Sequence, residues 1–289
     1  MDYTLYKLRN WIDLKKIDWD CLSSNPKAIF LLEQNPDKIN WTRLSSNPNA
    51  IHLLENNYDK INWEHLSSNP SALHILKENM KKINWDKFSQ NTNPLAINIL
   101  EKNKKKINWY YLSSNPSAIK LLENNIDKID WYLILTNTAA THIFEDSINV
   151  NPYLTLDDSW NIKYVYSFLC GNKNAIHIIE KTPNKIDWSS ISKNSGAKTI
   201  IKENLNRINW SALSMNPACI DILEENKDKI DWINISLNPE IFTINYDAIK
   251  KRIEPLVEEL MMKCYHPMRV ERLLLTYNYD IGIDEYIEN

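Results

Sequence analysis

The sequence predicts an all-α fold, a right-handed α-solenoid of about ten 22-residue two-helix repeats with helical caps. An aromatic residue recurs at Trp19, Trp41, Trp63, Trp85, Trp109, Trp131, Tyr166, Trp188, Trp210 and Trp232, at separations of 22, 22, 22, 24, 22, 35, 22, 22 and 22 residues. A fixed period of this length marks a stacked repeat. Around it runs the frame I-[ND]-W-x-x-L-S-x-N-P-x-A-I-x-L-L-E-x-N-x-x-K, with apolar residues at positions 0, 3, 9, 10, 12, 13 and 20 counted from the aromatic.

Each unit divides into two helices. Asn or Asp at position −1, such as Asp18 or Asn40, is a preferred N-cap, and the aromatic and the Leu at position 3 share one face of the short helix that follows. In the Asn-Pro pair, Asn47 can cap while Pro48 takes the first helical position, where a missing N–H costs nothing. Positions 9, 10, 12 and 13 then form one stripe of a second helix of about nine residues. The Asn at position 16, as at Asn35 and Asn57, is expected in the left-handed conformation that ends it. Helices this short are held only by their neighbours. At roughly 8–10 Å per layer, ten units would make a curved rod on the order of 80–100 Å long.

The domain reading is an N-terminal helical cap over residues 1–16, the repeats over 17–246, and a C-terminal helical cap over 247–289. In the fourth unit two extra residues precede Asn93-Pro94. The sixth unit is followed by a 13-residue surplus at about residues 146–165, read as a loop on one edge or, alternatively, as a binding or hinge element.

Lys plus Arg number 34 and Asp plus Glu 37. Residues 247–289 hold 6 basic and 9 acidic side chains, so the rest of the chain carries 28 of each. A neutral array has no electrostatic reason to coat phosphates or anionic lipid, which argues against nucleic acid and membrane partners. No window approaches a membrane span and the start has no signal-peptide core. The separated cysteines Cys21, Cys170, Cys219 and Cys264 read as free thiols of a reducing, cytoplasmic setting.

The Asn at position 6, assigned to Asn25, Asn47, Asn69, Asn93, Asn115, Asn137, Asn172, Asn194, Asn216 and Asn238, is read as structural, a cap and an inter-repeat hydrogen bond. Position 11 is occupied by Phe30, His52, His74, Asn98, Lys120, His142, His177, Thr199, Asp221 and Thr243. It lies opposite the apolar stripe, and residues one layer apart are too distant to share a zinc ion, so no metal is assigned. This variable row is the candidate partner-binding surface, with positions 1, 2, 8 and 15 beside it. Lys at position 19 and Glu at position 14 read as a solvated, balanced ladder. With three glycines and no catalytic motif, no catalytic residue and no cofactor are assigned, and the chain is expected not to be an enzyme. His266, ahead of Pro267, is read as a turn or capping residue, and Val270, Leu273, Leu274 and Tyr277 as one helical face.

The repeat I-N-W-x-x-L-S-x-N-P-x-A-I-x-L-L-E-x-N over residues 17–246, with H-P-M-R-V-x-x-L-L at 265–280, resembles the uncharacterised Asn-Pro repeat proteins of giant nucleocytoplasmic DNA viruses. That resemblance implies a viral origin, with the host cytoplasm or the virion as location, and no activity or catalytic residue. The functional expectation is a non-enzymatic protein-binding scaffold whose partner is a protein. The alternatives are a structural virion component cementing capsid or core proteins, and an enzyme with a hidden site near the 146–165 surplus.

Overall fold

The computed structural model describes residues 5–145 and 159–277, which are mostly helical. They fall into two compact bodies, one of Arg9–Phe242 and one of Met1–Leu8 with Thr243–Asn289.

Within Arg9–Phe242 each unit opens with a short helix, such as Trp19–Ser23, Trp41–Leu44 and Trp63–Ser68. Its N-cap is the Asn or Asp at position −1, and Asn40 accepts from the Arg43 N–H at 3.1 Å. The Leu at position 3 is fully buried in Leu22, Leu44, Leu66 and Leu112, as is the Ala at position 9 in Ala28, Ala50, Ala72 and Ala118. These apolar contacts, at about 25 cal/mol per Å² of surface removed from water, hold helices too short to persist alone.

The second helix is shorter than the stripe predicts. Ile29–Glu33, Ile51–Glu55 and Ile119–Glu123 have five residues each, and only Pro94–Lys102 in the fourth unit reaches nine. In the other Asn-Pro units the residues after the Asn form a turn, or a 3-10 turn as at Pro70–Ala72, rather than the first turn of the α-helix. Nor is the Asn at position 16 left-handed, for Asn35 and Asn57 both have φ of −134°. Its side chain closes the helix end instead. Asn57 Nδ2 donates to the Leu53 carbonyl at 2.9 Å, satisfying one of the acceptors that a helix end leaves open.

Two rows of buried polar groups join successive units. The Asn47 amide donates to the Ser23 and Asn25 carbonyls at 3.0 Å each, and its Oδ1 accepts from the Asn49 N–H at 3.0 Å. The Ser at position 4 receives the N–H that begins the next unit, as Asn40 N–H donates to Ser23 Oγ at 3.0 Å. In the same unit Ser23 Oγ donates to the Trp19 carbonyl. The sequence alone assigns the constant Ser no role, yet it ties its own first helix to the following unit.

The fourth unit corrects one assignment. Asn91, not Asn93, stands in the row: it is fully buried and donates to the Ser67 and Asn69 carbonyls, and Asn115 in turn donates to the Asn91 carbonyl. Counting six from Trp85 reaches Asn91, and the two extra residues follow it. Asn93 instead caps the long second helix by accepting from the Leu95 N–H at 3.0 Å.

The expectation of a rod with two capped ends fails. Asn25 Nδ2 donates to the carbonyls of Ser236 and Asn238 at 3.1 and 3.0 Å, and the Asp18 N–H donates to Ser236 Oγ at 2.9 Å. These are the contacts found at any other junction, so the first unit follows the tenth as the second follows the first. Lys27 and Glu240 form an ion pair at 2.7 Å across the same junction, and the Phe30 and Phe242 rings meet edge to face at 5.6 Å.

The described part of the 1–16 segment is not a helical cap. Tyr6–Leu8 is a strand, β1, paired with Phe242–Ile244, β2. The second strand occupies the positions of the tenth unit's second helix, because Ile241-Phe242-Thr243-Ile244 is β-branched and aromatic where other units read A-I-x-L-L. Residues 13–18 then stand in for that unit's missing end: the Lys16 N–H donates to the Asp13 carbonyl at 3.0 Å, as Lys38 does to Asn35. Of the 247–289 segment, expected as a helical cap, the described residues form Tyr246–Cys264 and Pro267–Tyr277, but Tyr246–Cys264 buries no residue, and the tenth unit is covered by the first.

Candidate functional site

The constant slots are consumed by contacts between or within units. Eight of the ten aromatics at position 0 carry a cation from position 19 of their own unit, among them Lys38 over Trp19 at 4.4 Å, Lys60 over Trp41 at 4.5 Å and Arg207 over Trp188 at 4.3 Å. Lys16 lies over Trp232 at 5.1 Å, again completing the tenth unit from the opposite chain end. The Trp side chains are half-buried rather than enclosed, so the cation covers the side left to solvent.

The predicted Glu-Lys ladder is therefore wired differently. The Glu at position 14 meets position 11 of the following unit, with Glu33 to His52 at 2.7 Å, Glu55 to His74 at 2.8 Å, Glu123 to His142 at 2.9 Å and Glu145 to His177 at 3.0 Å. Between units eight and nine the polarity is reversed, and Asp221 pairs with Lys202 at 3.4 Å and with Lys198 at 2.9 Å. Burial works against ionisation of Asp221, but the two ammonium groups outweigh it and hold the carboxyl below its ordinary value. Of the position-11 residues, Phe30, the four histidines and Asp221 thus touch an adjacent unit, Thr243 lies in β2, and Asn98, Lys120 and Thr199 are exposed.

Position 1 behaves differently. Asp20, Thr42, Glu64 and Asp86 are exposed, as are Tyr110 at 53% and Ile233 at 59%, and the chemistry changes from unit to unit. In these units the row is outward and varied, whereas Tyr132, Ser167 and Ser211 are half-buried, and Ser211 donates to Asp231 of the next unit at 2.5 Å. Position 8 is partly absorbed, since Asn49 and Asn174 donate to the preceding unit's Pro26 and Thr138 carbonyls. At Gly196 a Cβ would stand 2.6 Å from the Lys173 carbonyl oxygen, so this close approach requires glycine.

Cys170 replaces the position-4 Ser and accepts the Asp187 N–H at 3.4 Å, and burial pushes its thiol up to about 11. Cys21 and Cys219 are raised to about 11 as well, first by burial, so none of the three is poised as a thiolate. All four cysteines are free. Among the described residues no group of three His, Cys, Asp or Glu side chains stands close enough to hold a metal ion, and no helix is long and apolar enough to cross a membrane. Most of the 146–165 surplus, residues 146–158, lies outside the described residues. The array continues past it: Asn172 donates to the Leu135 and Asn137 carbonyls at 2.8 and 3.2 Å.

In the tail, the His266 carbonyl accepts from the Arg269 and Val270 N–H groups and starts the Pro267–Tyr277 helix. Met262, Lys263, His266, Met268, Arg269 and Arg272 line an open groove at that elbow. Val270 and Leu274 are half-buried, whereas Leu273 is 47% exposed. No protein-family model, no curated protein and no solved structure matches the chain.

Proposed function

We propose that the Arg9–Phe242 body is a right-handed α-solenoid of ten units closed on itself, acting as a non-enzymatic scaffold that binds a protein partner. One observation carries this reading. The residues that are constant from unit to unit are engaged at the junctions, and the exposed position-1 side chains, with Tyr110 and Ile233 the largest, differ from one unit to the next. Large apolar side chains on a rigid surface are the groups that anchor protein interfaces. The resemblance to giant-virus repeat proteins favours a viral setting for that partner.

Position 11 plays a smaller part than its variability implies, because six of its residues already hold adjacent units together. Affinity capture from expressing cells tests the reading. The wild-type chain should recover a stoichiometric protein, Tyr110→Ala/Ile233→Ala should lose it, and His52→Ala/His74→Ala should retain most of it. Recovery of no stoichiometric partner by the wild type would sink the proposal.

A further inference from the structure

The charge balance of the array fails locally, in two adjacent units. In the turn that follows the second helix, Asp at position 18 stands beside Lys at position 19 in Asp37-Lys38, Asp59-Lys60, Asp127-Lys128 and Asp228-Lys229. In units three and four the acid is replaced by Lys81 and Lys105, and position 17 of unit four adds Lys104. Residues 77–82 thus carry three lysines against Glu78, and residues 101–106 four against Glu101, all of them exposed. Lys77 holds position 14, where Glu33, Glu55, Glu123 and Glu145 each meet a His of the following unit, and the position-11 residue that comes after it is Asn98. Among the described residues no carboxylate forms an ion pair with Lys77, Lys81, Lys102, Lys104 or Lys105.

The two turns are equivalent in spite of the residues inserted earlier in unit four. Met80–Lys82 and Lys104–Lys106 are both 3-10 turns, and the Lys82 and Lys106 N–H groups donate to the Asn79 and Asn103 carbonyls at 2.8 Å each. Lys82 lies over Trp63 at 4.2 Å and Lys106 over Trp85 at 4.5 Å. Lys82 is also 5.3 Å from the Tyr58 ring of the unit before, so positions 17 and 19 of successive units share one surface. Equivalent residues on it are roughly 8–10 Å apart, about one Debye length at physiological salt, and repulsion among the ammonium groups is only partly screened.

We propose that this two-unit surface docks an acidic protein segment with an apolar residue at each end. Position 17 reads Tyr58, Met80, Lys104 and Ile126 in units two to five, with Met80 37% and Ile126 55% exposed on either side of Lys104. Position 18 reads Asp59, Lys81, Lys105 and Asp127, so the positive stretch ends after two units. A phosphate backbone gains nothing from Met80 and Ile126, and it meets Asp59 or Asp127 if it runs on in either direction, which sets nucleic acid aside. Met80 and Ile126 are two junctions apart, roughly 16–20 Å, which an extended chain at ~3.3 Å per residue spans in about five or six residues. The segment that fits carries its apolar ends over Met80 and Ile126 and its carboxylates between them, over Lys81, Lys104 and Lys105. This surface lies on the turns after the second helices and not on the position-1 row, so it stands whether or not that row binds.

Fluorescence anisotropy with the full chain and an end-blocked, labelled peptide, Leu-Glu-Glu-Ser-Glu-Glu-Leu, tests the assignment. The expected result is saturable binding with a Kd of roughly 10–100 µM that weakens as salt rises. The peptide with Gln in place of every Glu should bind at least about fivefold more weakly, and Lys81→Glu/Lys105→Glu should weaken binding of the acidic peptide to the same degree. Met80→Ala/Ile126→Ala should cost at least about threefold. Lys227→Glu, at an exposed position 17 with Asp228 beside it, should bind as the wild type does, as should Tyr110→Ala/Ile233→Ala. Near-UV circular dichroism of the repeat tryptophans should be unchanged in all variants, separating lost docking from lost folding. No saturable binding by the wild type, equal binding of the Gln peptide, indifference to Met80→Ala/Ile126→Ala, or a loss with Lys227→Glu as large as with Lys81→Glu/Lys105→Glu overturns the inference. So does tighter binding of an oligothymidylate of equal charge than of the acidic peptide.

Discussion

The junction between units one and two is spanned by continuous chain, whereas that between units ten and one joins residues more than two hundred positions apart. Their contacts nevertheless coincide. Asn47 reaches the Ser23 and Asn25 carbonyls at 3.0 Å each, and Asn25 reaches those of Ser236 and Asn238 at 3.1 and 3.0 Å. Asn40 and Asp18 each donate their N–H to the Ser of the preceding unit. What fixes one unit against the next is therefore the Asn and Ser side chains and the apolar face beneath them, and not chain connectivity. The one asymmetry is that the closing junction depends on residues before Asp18, which supply the end that the tenth unit lacks.

The largest expected effect breaks the comparison at that asymmetry. Removing residues 1–16 takes away Ile12, which is 6% exposed, the Arg9 contacts to the Glu240 and Ile241 carbonyls, and Lys16 over Trp232. Burial of Ile12 alone is worth ~1.5–3 kcal/mol, and with the hydrogen bonds the loss should be on the order of 4 kcal/mol. Thermal unfolding should show a drop of ~8–16 °C for a body of this size. Removal of residues 267–289 should leave that transition in place. Equal transitions in the two truncations would mean that the closing junction contributes nothing to stability.

The second test compares junctions through single side chains. Asn25→Ala and Asn47→Ala each leave one buried Ser carbonyl without its donor and the buried Asn carbonyl beside it with a backbone N–H alone, which should cost ~1–3 kcal/mol, and the two variants should match within experimental error. Asn91→Ala belongs in the same class. Asn93→Ala removes a partly buried cap and should cost ~1 kcal/mol. Urea denaturation of the four variants reads this directly. A much smaller loss for Asn25→Ala than for Asn47→Ala would show that the closing contact is weaker than its geometry implies.

The repeat, the Asn and Asp N-caps of its first helices and the role of the Asn row are legible in the sequence because each follows from a local rule applied many times over. Asn91 escapes a count taken back from Pro94 and is found by one taken forward from Trp85. Closure is not legible from any one unit, since the small rotation between units is set by packing and leaves no motif. A signal for it does exist in the two chain ends. Lys15-Lys16-Ile17-Asp18 matches the end of a unit, as in Asp37-Lys38-Ile39-Asn40, while the tenth unit stops matching after Ile241. Half a unit at each end is what a closed array needs. The pairing of position 11 with the preceding Glu is hidden for a related reason: the residues are 19 apart in most units and 32 apart at His177, and only the stacked geometry brings them together.

The smallest effect tests whether the charge-reversed contact between units eight and nine is equivalent to its neighbours. Asp221 faces Lys198 and Lys202, and their charge keeps its carboxyl ionised below the ordinary range despite the opposing influence of burial. Because the folded-state value is the lower one, the stabilisation is complete above the unfolded value of about 3.9 and is lost as pH falls through the folded value. Asp221→Asn should therefore be less stable than the wild type at neutral pH by under ~1 kcal/mol, since the pair is substantially exposed. The gap should close as pH drops below about 3.9. Urea midpoints measured across that range decide it: a gap that stays constant with pH would assign the loss to the shape and hydrogen bonding of the side chain and not to its charge.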